Sequence, residues 1–388
     1  MNYILKHIDN EEEFINLKAS WNELLFRRKN VVPFLSFEWQ YSWWRTMKNL
    51  RFDSLFIITI IDSGTNDIVG IAPLMINKSN YLRTIKFIGT GRSDYLGFIT
   101  IESYENIIIE IYKYLILHKD IWDICFLSNI LEYELIEKYR NMFDARAFSS
   151  CYRVYEIAPY IIISSSFDIY LKQKSKHFRK NVLRQCYETL KERDNYLLER
   201  IEVNKGNAKH FVFMISEIEK SSWKYENGTA HIESIWDINF WIELLPYFSK
   251  NNWLSAWILK YENKPVAFII GFIFGNIMYS HTSAYDKRVK GSGNIVRNNL
   301  IKITFENKMK EFDFMCGDED YKIDWTNDSR KTYQFVIAKK NITVQFYFYI
   351  YLIRWKLSKY NCLKNMRSGI NRQKRSLQRK FKNILGPT

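Results

Sequence analysis

One segment of the sequence combines residue types that could bind an anion. An apolar stretch at 277–285 is followed by a loop containing Gly291 and Gly293, and a helical pattern begins directly after it. Glycines let a ligand approach the backbone, and the free N–H groups and dipole of a helix N-terminus favour negative charge. Arg288 and Lys290 add positive charge. The pattern indicates a phosphate-binding loop, with an ordinary turn and helix cap as the alternative.

The elements that would position this loop occur in a repeated order. In the first half, the patterns predict a hairpin, a strand, a helix and a further strand at 55–61 with 68–76, 83–88, 104–117 and 122–127. In the second half, they predict a hairpin, a strand, a helix and a strand at 254–261 with 265–274, 277–285, 295–310 and 312–316. Two successive units of similar order favour a duplicated α+β architecture.

Motifs in both halves resemble one family. The stretches SWKYENGTAH (222–231) and FDFMCGDEDYKIDW (312–325), together with PFLSFEWQYSWW and LRTIKFIGTGRSDYLGFI in the first half, are similar to tandem-GNAT, FemAB-like acyltransferases. That family includes proteins associated with cellulose and surface-polysaccharide biosynthesis. The resemblance covers residues 1–340, although VKGSGN departs from the family's usual Arg/Gln-x-x-Gly-x-Gly/Ala loop.

The resemblance implies an α+β fold of two tandem GNAT-like domains, each a mixed, mostly antiparallel sheet flanked by helices. We expect a degenerate, structural domain at 1–163, an acyl-coenzyme A-binding catalytic domain at 164–350 and a basic helical tail at 351–388. Main-chain groups of three residues would bind the pantetheine arm: Ser283, Ala284 and Tyr285. Six N–H groups would hold the pyrophosphate, those of Val289, Lys290, Gly291, Ser292, Gly293 and Asn294.

Acyl transfer to an amine also requires groups that move protons. His281 is the candidate base and Tyr321 the candidate acid for the leaving thiolate, while the Asp318–Glu319 pair could attract or deprotonate the amine. A structural histidine, a packed tyrosine ring and a solvated loop are the respective alternatives. Three side chains could face the acceptor: Trp223, Lys224 and Lys322.

The cysteine pattern favours direct attack of the amine on the thioester and disfavours metal or disulfide chemistry. The five cysteines are scattered without CxxC spacing, so we expect no metal site and a reducing compartment. Cys316 has no visible His/Asp arrangement around it, which disfavours a covalent acyl-enzyme. The chain shows neither a signal-peptide pattern nor a membrane-spanning apolar run, which predicts a cytoplasmic location.

The net charge of +15 is concentrated at one end. From Arg354 onward there are eleven Lys and Arg residues and no Asp or Glu, with apolar residues at near-helical intervals. This pattern predicts a basic amphipathic helix that packs on the body or contacts an anionic membrane surface at the inner face of the membrane. No RNA-binding module is evident, so nucleic acid is not an expected partner.

The leading functional hypothesis is an N-acyltransferase that uses acyl-coenzyme A and acylates an amino sugar. A nucleotide-linked amino-deoxysugar destined for surface polysaccharide is the expected acceptor. Two alternatives remain open: an aminoacyl-tRNA-dependent transferase of the Fem type, and a non-catalytic partner of a membrane polysaccharide synthase.

Overall fold

The computed structural model describes residues 2–28, 31–79, 81–101, 105–131, 136–183, 195–317 and 319–358. The α-helices of the first half are α1 (Glu11–Asn16), α2 (Lys18–Phe26), α3 (Phe37–Met47) and α4 (Glu105–Leu117). Its strands are β1 (Tyr3–Ile8), β2 (Asp53–Leu55), β3 (Ile57–Asp62), β4 (Ile68–Ala72), β5 (Leu74–Asn77), β6 (Thr84–Phe87), β7 (Ile99–Thr100), β8 (Ile124–Leu131) and β9 (Phe148–Ile162).

The second half contributes the remaining elements. Its helices are α5 (Phe167–Lys172), α6 (Lys176–Leu183), α7 (Ala208–Lys220), α8 (Trp223–Asn227), α9 (Ile235–Lys250), α10 (Ser292–Glu306), α11 (Asp320–Trp325) and α12 (Ile342–Ser358). Its strands are β10 (Tyr196–Ile201), β11 (Leu254–Tyr261), β12 (Lys264–Phe274), β13 (Ile277–Tyr285), β14 (Glu311–Asp313) and β15 (Ser329–Lys339). No α-helix in the described ranges is both long and apolar enough to cross a bilayer.

The strands form two sheets. Eleven strands make one sheet in the order β10-β11-β12-β13-β14-β9-β15-β8-β6-β5-β2, and β1-β3-β4-β7 make the other. Two adjacent pairs, β13–β14 and β6–β8, are parallel, and the other named pairs are antiparallel. The sheets are therefore mixed and mostly antiparallel, as predicted.

Backbone pairing joins the two halves of the chain. The strand β15 comes late in the sequence, yet it lies between β9 and β8 and pairs antiparallel with both. In turn, the end of β9 pairs with β14. The predicted ranges 1–163 and 164–350 thus contribute strands to one continuous sheet. The shared sheet therefore positions the loop at 89–96 of the first half next to the residues that follow β14 in the second half.

Local signals explain the helix boundaries near the shared core. Ser36 caps α3 because its hydroxyl accepts a hydrogen bond from the Trp39 N–H at 3.3 Å. The sequence pattern over 11–28 predicts a single helix, but the structure has two helices that meet at Leu17. The sequence analysis missed α9, which begins with a capping box in which Ser234 and Asp237 bond each other's backbone N–H.

The helices α3 and α9 pack together in a core that spans both halves. The Trp39 ring of α3 is fully buried and lies 5.1 Å from Phe240 of α9 and 5.7 Å from Phe272 of β12. Edge-to-face packing of large aromatic rings stabilises such contacts beyond the area that they bury. The two halves therefore share an apolar core as well as a sheet.

Candidate functional site

The strands β13 and β14 separate at one end. They pair in parallel only where Ile277–Tyr279 lie beside Glu311–Asp313. Beyond Asp313, β14 ends while β13 continues to Tyr285. Within the described chain, the edge of β13 that faces away from β12 is therefore without a strand partner after Tyr279, and its polar backbone groups are available to a ligand. Ser283, Ala284 and Tyr285 lie on this open segment.

A buried carboxylate fixes the point where β14 ends. Asp313 is fully buried and accepts hydrogen bonds from the Tyr95 hydroxyl and from the Met315 N–H at 2.7 Å. Met315 and Gly317 then adopt positive φ angles of 66° and 128°, which turns the chain away from β13. Tyr95 belongs to the first half, so this half helps to hold the opening between β13 and β14.

The glycine loop stands at the mouth of this opening. Gly291 has a φ of 85° and forms the N-cap of α10, a conformation that favours glycine. The N–H groups of Val289, Ser292 and Asn294 bond carbonyl groups inside the loop. Those of Lys290, Gly291 and Gly293 bond no acceptor in the described chain. Three of the six predicted N–H groups are thus free at the N-terminus of a 15-residue helix.

Part of the middle strand of the large sheet is uncovered. The strand β9 is the sixth of eleven strands, and it pairs with β14 near its end and with β15 along its length. Even so, Val154, Tyr155 and Ile157 are 41%, 40% and 43% exposed. Neighbouring residues of a strand point to opposite faces, so β9 is open to solvent on both faces at this stretch.

His281 lies on β13 next to the point where the strands separate, among aromatic rings. Its ring is 5.4 Å from Trp39, 5.5 Å from Trp241 and 5.8 Å from His231. Burial lowers its pKa to about 3, and the charges of Lys224 and Arg92 act in the same direction. The neutral ring places Nε2 3.4 Å from the Arg92 carbonyl oxygen, and its buried Nδ1 is unbonded. Such a low pKa suits a hydrogen-bonding role better than proton abstraction at neutral pH.

The short helix α8 positions the next two predicted residues. Trp223 is 37% exposed at the start of α8. Lys224 is partly buried, and burial lowers its pKa; the carboxylates of Glu219 and Glu319 oppose this shift only in part. Its ammonium group has neither an ion pair nor a hydrogen bond in the described ranges. Lys224 is therefore a partly desolvated cation without a direct ion-pair partner.

The ammonium group of Lys322, in contrast, has three acceptors for its three N–H groups. Its buried ammonium group donates to the carbonyl oxygens of Met315 and Cys316 at 3.1 and 2.9 Å and pairs with Glu319 at 2.8 Å. Burial opposes its charge, but Tyr321 and Glu319 offset this and raise its pKa. The structure thus uses Lys322 to hold the chain after β14. Asp318, the other predicted acid, lies outside the described residues.

Arg297, which packs on the ring of Tyr321, is a residue that the sequence analysis missed. The guanidinium of Arg297, in α10, lies 3.6 Å from the centre of the Tyr321 ring. Its Nη1 donates to Asn294 at 3.1 Å, but it pairs with no carboxylate in the described chain. Burial lowers the pKa of Arg297. Arg297 and Lys224 are therefore neighbouring cations that form no direct ion pair with a carboxylate in the described chain.

Asp94 belongs to the motif GRSDYLGF of the family resemblance, and the sequence analysis assigned it no part in the chemistry. Its backbone carbonyl accepts hydrogen bonds from Cys316 at 3.4 Å and Asn129 at 3.2 Å. Burial raises the pKa of the carboxyl group to about 7; Lys322 opposes this shift, and Glu156 supports it. A carboxyl group with a pKa near 7, beside the end of β14, is suited to accept a proton at neutral pH.

Neither metal nor thiol chemistry finds support in the described chain. No group of three or more His, Cys, Asp or Glu side chains there is arranged to hold a metal ion. Burial raises the pKa of the Cys316 thiol well above its usual range, and Asp94 and Glu156 add to the shift. The thiol is therefore protonated at neutral pH and is a poor nucleophile.

Comparison with known proteins agrees with this geometry. Residues 176–323 match the acetyltransferase (GNAT) domain family. This part of the chain is therefore similar to a GNAT acetyltransferase domain. The matched residues include the opening between β13 and β14, the glycine loop and α10. No curated protein matches the sequence.

Several solved structures share the fold around the GNAT domain. A conserved protein of unknown function from Bacteroides thetaiotaomicron VPI-5482 superposes with a TM-score of 0.55 at 10% identity, over 87% of this chain and 100% of that one. FemX superposes with a TM-score of 0.52 at 13% identity, over 86% of this chain and 97% of FemX. L-PGS from Bacillus licheniformis superposes with a TM-score of 0.52 at 12% identity, over 87% of this chain and 95% of L-PGS. At such identities the likeness shows the fold alone, and the predicted α+β arrangement of GNAT-like sheets flanked by helices is confirmed.

Proposed function

We propose that this GNAT-fold acyltransferase moves an acyl group from acyl-coenzyme A to the amine of an amino sugar, with a nucleotide-linked amino-deoxysugar as the acceptor class. The observation that carries the proposal is the open edge of β13 next to the free N–H groups of Lys290, Gly291 and Gly293. An extended amide chain that ends in a diphosphate matches this pair of features.

The residues present fit coenzyme A. The amides of its pantetheine arm would pair with the backbone at Ser283, Ala284 and Tyr285 in the manner of an added strand. Its pyrophosphate would accept hydrogen bonds from the free N–H groups of the loop, near the exposed side chain of Lys290. Arg288 contributes little charge there, because it is paired with Asp286 at 2.9 Å.

The two unpaired cations favour an anionic acceptor. Neither Lys224 nor Arg297 forms an ion pair in the described chain. Burial lowers the pKa of both groups, and the charge of Glu319 offsets this only in part, so an anionic partner would stabilise both. A phosphate or carboxylate on the acceptor would supply that partner and would bind with charge-assisted hydrogen bonds. The acceptor would approach across the exposed surface of β9 at Tyr155, apart from the opening between β13 and β14.

Asp94 is our candidate for the group that receives the amine proton. Its pKa of about 7 is closer to the working range than that of His281, and Glu319 is already paired with Lys322. Tyr321 remains the proposed acid for the leaving thiolate. Since Cys316 is a poor nucleophile, the amine would attack the thioester directly, with positioning supplied by the donor and acceptor sites.

Titration calorimetry with coenzyme A tests the donor site. Lys290→Glu places a negative charge beside the free N–H groups, and we expect at least a tenfold loss of affinity, about 1.4 kcal/mol. Lys264→Glu, at an equally exposed lysine at the start of β12, is the matched control. Equal affinities for the two variants would remove coenzyme A from this loop.

A second candidate, aminoacyl-tRNA-dependent transfer, uses the same site. The unpaired Lys224 and Arg297 would also suit a phosphate of tRNA, and the basic C-terminal residues would add non-specific attraction. Mass spectrometry of reactions with acetyl-coenzyme A and nucleotide-linked amino sugars, run beside reactions with aminoacyl-tRNA, separates the two. A protein that binds neither donor and transfers nothing would instead fit a non-catalytic partner of a polysaccharide synthase.

A further inference from the structure

The helix α12 has one face that packs on the protein. Val344 and Phe348 are each 3% exposed and sit over β15 and its neighbours. One turn further on, the Tyr351 hydroxyl donates to Gln334, and Arg153 lies 4.2 Å from the Trp355 ring. The spacing 344, 348, 351 and 355 is the ordinary inner stripe of a surface helix.

The opposite face of α12 is also apolar. Ile342, Phe346, Tyr349, Ile353 and Leu357 are 90%, 64%, 57%, 56% and 46% exposed. Their spacing of four, three, four and four residues places them on one stripe that faces away from the body. A surface helix normally carries polar residues there. A continuous exposed stripe of aromatic and aliphatic side chains is typical of an interaction surface.

The charge around this stripe has a single sign. Arg354 and Lys356 are the charged residues of α12, and they begin the run of eleven basic residues without Asp or Glu. Aromatic and aliphatic groups with flanking Lys and Arg are the composition of helices that lie in the plane of a bilayer interface. The basic groups would face anionic lipid headgroups.

We infer that the outer stripe of α12 docks the enzyme on an anionic membrane surface, with the helix lying in the interface and Arg354 and Lys356 facing the headgroups. A second copy of the chain is a poor occupant, because it would bring two basic segments together. RNA would match the charge but not the exposed Ile342, Ile353 and Leu357, which cannot stack on bases.

Sedimentation of the full chain with vesicles tests this inference. We expect binding to mixed phosphatidylcholine–phosphatidylglycerol vesicles at low salt and little binding to pure phosphatidylcholine. Phe346→Ser combined with Ile353→Ser should weaken binding to the anionic vesicles at least tenfold. Leu50→Ser, which changes an 84% exposed apolar residue elsewhere, should leave binding unchanged. Arg354→Gln combined with Lys356→Gln should reduce the dependence on salt.

Several outcomes would overturn the inference. The first is a failure of the full chain to bind anionic vesicles at low salt. The second is binding that the Phe346 and Ile353 substitutions leave intact, since the basic residues alone would then be responsible. A dimer that dissociates on Phe346→Ser in analytical ultracentrifugation would assign the stripe to self-association. Binding of tRNA that is lost in the same variants would assign it to nucleic acid.

Discussion

The Tyr95 hydroxyl lies 2.9 and 2.8 Å from the two carboxylate oxygens of Asp313, across a separation of 218 residues in the sequence. This hydrogen bond joins the first half of the chain to the end of β14, the point where β13 and β14 separate. Tyr95→Phe removes a donor from a fully buried carboxylate.

We expect Tyr95→Phe to reduce the free energy of unfolding by about 1–3 kcal/mol. Urea denaturation followed by fluorescence measures the change. Tyr81→Phe is the control, since Tyr81 is fully exposed. A cost for Tyr95→Phe no larger than that of the control would mean that Asp313 does not depend on this hydroxyl.

Asp94 should give the reaction its pH dependence. As Asp94 loses its proton near pH 7, kcat/KM should rise with pH through a midpoint close to that value. Asp94→Asn should lower the rate by about 10² to 10⁴ and abolish this limb. Asp67→Asn, at an exposed turn, is the control. An unchanged acidic limb in Asp94→Asn would assign the proton to another group.

The same carboxyl group should also affect stability. Its folded pKa of about 7 exceeds the unfolded value of about 3.9, so the folded state favours the protonated form. The resulting stabilisation is complete below about pH 4 and is lost as the pH rises through 7. The thermal midpoint of the wild type should therefore fall relative to that of Asp94→Asn as the pH rises from 4 to 7. A constant difference between the two midpoints over this range would contradict the shifted pKa.

Lys224 should oppose stability while supporting function. Lys224→Met removes a partly buried cation that has no ion pair in the described chain and whose pKa burial lowers despite Glu219 and Glu319, so we expect the thermal midpoint to rise. The KM for the acceptor should increase at least tenfold, while the KM for acyl-coenzyme A changes little. Lys205→Met, at an exposed lysine, is the control for a lost charge. A variant with an unchanged acceptor KM would remove Lys224 from the acceptor site.

Gly293 should be required because of Tyr285. A Cβ at residue 293 would overlap the Tyr285 ring, with Cγ only 3.0 Å away. Glycine to alanine usually stabilises a helix, yet here we expect a loss of about 1–3 kcal/mol from overpacking. Calorimetry on Gly293→Ala, and on the same change combined with Tyr285→Leu, measures the loss and its recovery. Gly64→Ala is the control, and a neutral Gly293→Ala would contradict the close packing.

The sequence allowed the strand and the loop of the site to be predicted. It did not show which residues from distant parts of the chain lie beside them. The apolar run 277–285 and the glycines after it are local signals, and β13 and the start of α10 follow them closely. No chemical role was predicted for Asp94 or Arg297, because their importance depends on neighbours from distant parts of the chain. Their positions follow from the shared sheet and from burial, which no local pattern records.

The helix α9 was missed for a different reason. Ile235 and Trp236 are 57% and 56% exposed, and Pro246 lies inside the helix, so the pattern is neither cleanly amphipathic nor free of helix breakers. The capping box at Ser234 and Asp237 was the readable signal. It also forms part of the contact between halves, because Arg92 pairs with Asp237.

The position of β15 has a consequence for synthesis on the ribosome. When β8 and β9 have emerged, the strand that belongs between them, Ser329–Lys339, has not yet been translated. At typical elongation rates the intervening residues take roughly 10 to 30 s to make. During that time the nascent chain presents two strands rich in apolar residues with unsatisfied edges, which can pair with other chains. The first half should therefore depend on chaperone protection until the last strand arrives.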